Sequence, residues 1–206
     1  NTNPERTTWI TGGKINKTPE IIKIISGTAY NVSRRITIDS LGYPIILGYA
    51  YDNGSGNTLN FDTKVLTFDA ISAKPFIAKY DPFDPGFPSN GEWDWAVNFN
   101  NPGVGGDDAI SDITTDSNNN IYVLGRFTTS SYSIGGLGPL TKIGTKDAYI
   151  VKLSPTGVFM SSFNIGVVAT DIEPRAIRVS SNGAIYVLAD HNDLLTTKLW
   201  VYSSVF

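Results

Sequence analysis

Short runs of alternating apolar and polar residues fill most of the chain, and they predict β-strands. In residues 92–99, for example, apolar side chains occupy every second position, so one face of a strand would be apolar. β-Branched and aromatic residues cluster in these runs, and Gly or Pro recurs between them. The best helical candidate, residues 20–25, is too short and too β-branched to form a stable helix. The sequence therefore predicts an all-β protein.

Three segments of the chain align over 13 residues without a gap. Each consists of a strand, a polar turn and a second strand that ends at a small residue. The segments are ITIDSLGYPIILG (36–48), ITTDSNNNIYVLG (113–125) and IRVSSNGAIYVLA (177–189). Further strand patterns follow each of them, at 76–82 and 92–99, at 149–155 and 158–165, and at 199–204. An internal repeat of this kind predicts stacked four-stranded units.

The repeats divide residues 1–206 into three units of one repeat domain. Unit 1 spans about residues 30–99, unit 2 about 107–166 and unit 3 about 171–206. Unit 3 stops after its third strand. The segment 7–13, TTWITGG, has an outer-strand pattern and no unit before it, so we expect it to complete unit 3, in the same chain or in a second copy.

Unit 2 carries a resemblance to a known family. Its pattern Ile-x-x-Asp-Ser-x-Asn-x-Ile-Tyr-Val-x-Gly, followed by Asp-Ala-Tyr-Ile-Val-Lys-Leu-Ser-Pro-x-Gly, resembles the SBBP-type β-propeller repeats of secreted and surface proteins from bacteria and archaea. The resemblance implies four-stranded antiparallel blades and no catalytic residues. Propellers typically close with 4–8 blades, so three blades predict an incomplete propeller or one completed by other copies. A β-sandwich-like assembly subunit is the alternative.

The amino-acid composition excludes several classes of function. Charged residues make up 17% of the chain and the net charge is −3, which predicts no nucleic-acid partner. No apolar run approaches the roughly 18 residues of a membrane span. The absence of cysteine excludes disulfides and Cys-ligated metals. Polarity comes instead from Asn, Ser, Thr and Gly, which favours an extracellular or cell-surface protein.

Acidic residues give two candidate cation sites. The densest acidic cluster consists of Asp107, Asp108 and Asp112, which are candidate Ca²⁺ ligands. The alternative is that these residues lie in a solvated loop at the start of a strand, with one carboxylate facing the strand. Residues 116–120, DSNNN, begin like a calcium loop but lack its Gly at position six and its Glu at position twelve, so they predict a tight turn. We expect no cofactor.

The remaining candidate residues favour structure over catalysis. The single histidine, His191, lacks a nucleophile motif around it and predicts a surface-loop residue. Trp93 and Trp95 share a face that continues through apolar residues, which favours core over a sugar-stacking platform. Four arginines on inner-strand segments either line a channel or pair with acidic loops: Arg34, Arg35, Arg175 and Arg178.

These features together predict a non-enzymatic structural protein that assembles with copies of itself, as a surface-layer, filament or adhesin component. The expected assembly residues lie at the two chain ends: Trp9, Ile10, Trp200, Val201 and Tyr202. The alternative is a glycan- or protein-binding module that uses the long loops 51–73 and 127–145, since loops on a rigid scaffold often carry recognition. A glycan-active enzyme is the third alternative.

Overall fold

The computed structural model describes residues 8–12, 21–51, 56–68, 73–83, 91–99, 109–191 and 196–203, with side chains from residue 23 onward. This part of the chain consists of strands, turns and irregular connections, so the prediction of an all-β protein is confirmed. It contains no helix long and apolar enough to cross a membrane.

Seventeen strands form in the described residues. In chain order they are β1 (Thr8–Gly12), β2 (Ile21–Gly27), β3 (Tyr30–Ile38), β4 (Pro44–Tyr51), β5 (Asn57–Phe61), β6 (Lys64–Phe68), β7 (Ala73–Asp81), β8 (Glu92–Asn98), β9 (Ala109–Thr115), β10 (Ile121–Phe127), β11 (Ser131–Tyr132), β12 (Leu140–Thr141), β13 (Asp147–Leu153), β14 (Phe159–Ile165), β15 (Ile172–Val179), β16 (Ile185–His191) and β17 (Thr196–Tyr202).

These strands form four main antiparallel sheets, which we number along the chain. Sheet 1 has the spatial order β1-β2-β5-β6, and sheet 2 has β3-β4-β7-β8. Sheet 3 has β9-β10-β13-β14, and sheet 4 has only β15-β16-β17. A two-stranded ribbon, β11-β12, lies in the connection from β10 to β13. Sheets 2, 3 and 4 lie within the ranges of the predicted units 1, 2 and 3, but the range of unit 1 also contains β5 and β6, which belong to sheet 1.

The 13-residue repeat forms the first hairpin of sheets 2, 3 and 4 in one register. The pairs Ile36↔Ile46, Ile113↔Val123 and Ile177↔Val187 join the same two repeat positions in the three sheets. Each hairpin also has a register shift at the same place, two residues before the first isoleucine of the repeat. A bulge bends the strand locally, so the three copies share an irregularity that the sequence pattern does not show.

Sheet 1 corrects two expectations drawn from the sequence. The interval 51–73, expected to be a long loop, contains the hairpin β5-β6. The segment expected to complete unit 3 instead forms β1, which pairs with β2 of the same chain, Trp9 opposite Ile24. Because β1 and β2 are separated by a short connection (residues 13–20), closing this pair costs much less chain entropy than pairing the N-terminal segment with unit 3.

Three apolar clusters show that the sheets stack face to face in the order 1-2-3-4. The cluster between sheets 1 and 2 includes Ile25, Leu59, Phe61, Phe76 and Trp93. The next cluster joins sheets 2 and 3 through residues such as Ile45, Leu47, Val123 and Tyr149. The third joins sheets 3 and 4 through residues such as Tyr122, Leu124, Ile177 and Val187. Most of the buried apolar area therefore lies between neighbouring sheets.

Candidate functional site: the uncovered face of sheet 4

Side chains on the second and third strands of each unit point alternately to the preceding and the following sheet. In sheet 2, Ile45, Leu47 and Ile77 point to sheet 3 and are fully buried. The equivalent residues of sheet 3 are Tyr122, Leu124 and Ile150, which pack against sheet 4 and are at most 5% exposed. These repeat positions therefore serve as the contact with the following sheet.

The same positions are uncovered in sheet 4. The cross-strand pair Leu188↔Leu199 corresponds to Leu47↔Ile77 and Leu124↔Ile150. Leu188 is 39% exposed and Leu199 is 63% exposed, and beside them Tyr186 and its partner Val201 are 37% and 56% exposed. We call these four residues the sheet 4 face. It is the candidate functional site, because contiguous exposed apolar patches mark interaction surfaces.

The structure divides the predicted assembly residues between two faces. Val201 belongs to the sheet 4 face, whereas Trp200 and Tyr202 pack toward sheet 3. The Tyr202 ring lies 5.2 Å from the ring of Phe163, centroid to centroid, and burial raises the pKa of its hydroxyl to about 12. Trp9 and Ile10 lie on β1 in sheet 1, and their side chains are outside the described part of the structure.

Sequence reasoning missed Tyr186, Leu188 and Leu199. The signal was present, because the repeat places Tyr186 and Leu188 at the positions of Tyr122 and Leu124. However, only the stacking of the sheets shows whether the face on which a strand residue lies is covered by a neighbouring sheet.

A free strand edge borders this site. In sheets 2 and 3 a fourth strand, β8 or β14, pairs with the third. In sheet 4, within the described residues, β17 pairs only with β16. The unpaired backbone groups along such an edge can accept a further strand.

Asp112, one of the candidate cation ligands, is engaged by basic groups and backbone. Its Oδ2 accepts hydrogen bonds from Arg178 Nη1 at 2.6 Å and from the Ile177 backbone N–H at 3.0 Å. Arg35 Nε lies 3.8 Å from its Oδ1. Asp112 thus ties the first strands of sheets 2, 3 and 4 together. Asp107 and Asp108 lie outside the described residues, among which no cluster of three potential metal-ligating side chains occurs.

We predict that Asp112→Ala lowers the free energy of unfolding by about 1–3 kcal/mol, because it leaves the Ile177 N–H without its acceptor. Glu92→Ala is the matched control, since the Glu92 carboxylate lies 3.6 Å from Lys64 but is more exposed than that of Asp112, and ion pairs of exposed groups are worth about 0–1 kcal/mol. Urea denaturation of both variants measures the difference. Equal costs for the two variants would show that Asp112 makes no special contribution between sheets.

The DSNNN segment forms a turn, as predicted. Asp116 Oδ1 accepts hydrogen bonds from the backbone N–H groups of Asn118 and Asn120, each at 2.9 Å. Its Oδ2 accepts from the Asn120 amide at 2.8 Å and from the Tyr122 hydroxyl at 3.1 Å. Partial burial raises the pKa of this carboxyl, but these hydrogen bonds outweigh burial and hold the pKa below its usual value. Both carboxylate oxygens therefore serve the turn.

The aromatic and basic candidates are mostly structural. Trp93 is fully buried, which confirms the core interpretation for this residue. The expectation that Trp95 shares its face is wrong, because a register shift in β8 directs Trp93 toward sheet 1 and Trp95 toward sheet 3. The half-buried Trp95 donates from Nε1 to the Pro155 carbonyl at 3.0 Å. His191 is buried at the end of β16, so the expectation of a surface-loop histidine is wrong. Among the arginines, Arg35 and Arg178 pair with Asp112, and Arg175 pairs with Asp190 at 2.6 Å.

A polar cavity of about 440 Å³ lies where sheets 3 and 4 meet, and its lining includes Lys146, Asp171, Glu173, Arg175, Asp190 and His191. Its charges are compensated in pairs. Glu173 pairs with Arg126 and, at 3.5 Å, with Lys146. Hydrogen bonds from Thr197 and Arg175 hold the pKa of the Asp190 carboxyl below its usual value. The cavity thus presents fixed polar groups with nearly balanced charge.

No protein-family model matches the chain, and a search of curated proteins finds no match. The resemblance to SBBP-type repeats therefore stays a prediction from the residues quoted above.

Proposed function

We propose that this protein is a non-enzymatic scaffold subunit that assembles with copies of itself. The observation that carries the proposal is the sheet 4 face, which is uncovered at repeat positions that are buried in sheets 2 and 3. Burying apolar surface contributes about 25 cal/mol per Å², so a second sheet placed on this face is stabilised in the same way as the internal junctions. The free edge of β17 adds a second point of attachment.

The stacked sheets support a propeller-type arrangement that one chain leaves open. Three of the sheets are four-stranded and antiparallel, and successive sheets pack face to face. Propellers typically close with 4–8 blades, and two copies of this chain supply eight sheets. We therefore propose an incomplete propeller that other copies complete.

We place this assembly outside the cell or at its surface. The support is compositional: charged residues make up 17% of the chain and cysteine is absent, while Gly, Asn, Ser and Thr supply much of the remainder. Surface-layer, filament and adhesin components are the structural classes that fit a self-assembling subunit of this kind.

Light scattering coupled to size-exclusion chromatography, with negative-stain microscopy, tests the proposal. We expect particles larger than the 22.3 kDa of one chain. A protein that stays monomeric at about 1 mM, where a contact worth only about 4 kcal/mol is half formed, would refute self-assembly.

The polar cavity favours a second candidate function, a glycan- or protein-binding module. The connection 127–145, one of the two long loops predicted to carry recognition, ends at this cavity, where Thr145 donates to Asp171. Since the carboxylates are already paired with cations or hydroxyls, the cavity suits a neutral polyhydroxylated ligand better than an ion.

A glycan array screened with the purified protein tests this second function. Binding of a neutral glycan that Glu173→Gln weakens at least tenfold, and that Glu92→Gln leaves unchanged, would support it. Glu92 is the matched control because it also forms an ion pair, but in a different part of the molecule. An array without any signal would contradict glycan binding.

A further inference from the structure

The stack has a second uncovered face at its other end. In sheet 1, Ile25 of β2 and Leu59 of β5 point to sheet 2 and are fully buried. Their neighbours on the opposite face are open to solvent: Ile24 is 45% exposed, and Val65 of β6 is 55% exposed. We call the surface around Ile24 and Val65 the sheet 1 face. Each end of the described stack thus presents apolar side chains.

We propose that the sheet 4 face of one copy packs on the sheet 1 face of a second copy, so that the stack continues head to tail. The inference rests on the proposed self-assembly and names the two surfaces that would meet. We assign a second copy of the chain to the sheet 4 face because the other units show what covers the equivalent repeat positions. At the two internal junctions where the equivalent residues occur, the cover is the next antiparallel sheet of the same stack.

The direction of the internal junctions favours this contact over a symmetric one. Leu47 of sheet 2 and Leu124 of sheet 3 both point forward, to the sheet that follows in the chain. If two sheet 4 faces packed together, two forward-pointing faces would meet. In each of the three junctions among the described sheets, a forward-pointing face instead meets the backward-pointing face of the next sheet. Such a contact would also gather the exposed arginines of both copies, because Arg178 lies opposite Tyr186 in the sheet.

The contact area between one sheet 4 face and one sheet 1 face is small, so an assembly gains stability when every copy uses both of its ends. Sheet 4 has three strands of seven or eight residues. At about 3.3 Å per residue and about 4.8 Å between strands, they give a face of roughly 25 Å by 14 Å. This footprint is small beside the roughly 800 Å² that each partner buries in a standard interface. A head-to-tail arrangement uses both ends of every copy, and it forms a ring if the rotation closes or a filament if it does not.

Two variants that each block one end test the proposal. Leu199→Glu places a charge on the sheet 4 face, and Val65→Glu places one on the sheet 1 face. Val168→Glu is the matched control, because Val168 is 75% exposed in the turn before β15 and belongs to neither face. All three sites are more than half exposed, so circular dichroism and thermal melting should show folds as stable as the wild type.

Analytical ultracentrifugation over a concentration series gives the decisive measurement. We expect Val168→Glu to assemble like the wild type, and each end-blocked variant to be monomeric. An equimolar mixture of the two end-blocked variants should form complexes of two copies and no larger species. The intact sheet 4 face of Val65→Glu then meets the intact sheet 1 face of Leu199→Glu, and both remaining ends are blocked.

Three results would overturn the head-to-tail contact while leaving self-assembly intact. They are assembly of Leu199→Glu like the wild type, assembly of Val65→Glu like the wild type, and a mixture of folded, end-blocked variants that stays monomeric. A monomeric wild type is a different outcome, because it refutes the proposed function itself.

Discussion

Replacing Trp93 with alanine is expected to lower the free energy of unfolding by about 3–5 kcal/mol. Trp93 is fully buried between sheets 1 and 2. Its ring centroid lies 5.2 Å from that of Phe61 and 5.6 Å from that of Tyr80, both in edge-to-face geometry. Truncation to alanine loses these contacts and leaves a cavity that the surrounding β-strands cannot fill by collapse. Chemical denaturation measures the total cost.

The position of Trp93 also predicts which strands lose the most stability in the variant. Hydrogen exchange should show reduced protection in β2 and β5 of sheet 1, while sheet 4, two junctions away, changes least. Val65→Ala serves as the control, because Val65 is an exposed residue of sheet 1, the sheet that packs on Trp93, and its truncation should cost about 0.5 kcal/mol or less. A cost for Trp93→Ala below about 1 kcal/mol would contradict the packing of sheet 1 on sheet 2.

Gly125→Ala is expected to cost about 3 kcal/mol, at the upper end of the penalty for overpacking. Gly125 pairs directly with Tyr149 across the strands of sheet 3. A Cβ at Gly125 would lie 2.4 Å from the Tyr149 ring and 2.5 Å from the backbone oxygen of Ala109. Because the ring is itself buried and the oxygen belongs to the backbone, neither can move away without disturbing the sheet.

The repeat supplies the control for Gly125→Ala. Ala189 occupies the same repeat position in sheet 4, but its cross-strand partner is Lys198, which carries no ring. We expect Ala189→Gly to cost about 1 kcal/mol, mainly because glycine loses more backbone entropy on folding. Urea denaturation of the two reciprocal variants gives the comparison. If Gly125→Ala is as stable as the wild type, the close approach of Tyr149 to this glycine is wrong.

The candidate site could be predicted only in part. The sequence placed Val201 on an exposed strand at the end of the third unit, and Val201 does belong to the sheet 4 face. The sequence predicts the same role for its neighbours Trp200 and Tyr202, but these two side chains pack toward sheet 3. Alternation says that adjacent strand residues point to opposite faces, but it does not say which of the two faces the neighbouring sheet covers.

Local features were determined by the sequence alone. The 13-residue repeat specified three hairpins in one register, because a strand, a tight turn and a second strand interact over a few residues. The Asp116 turn followed from side-chain acceptors placed beside backbone donors. The apolar residues around Trp93 indicated a strand with buried side chains, but a register shift in β8 directs Trp93 to sheet 1 and Trp95 to sheet 3, so the shared face that alternation predicts does not form.

The arrangement of the sheets was decided only by the tertiary structure. Sheet 1 joins β2 to β5 across the intervening hairpin of sheet 2, so two sheets are interleaved along the chain. A strand pattern with a period of two residues carries no information about its partner, and pairing between distant strands depends on which apolar faces can be buried together. The uncovered sheet 4 face follows from the same cause. Its residues match those of the other units, and what distinguishes them is that none of the described sheets of the chain packs on them.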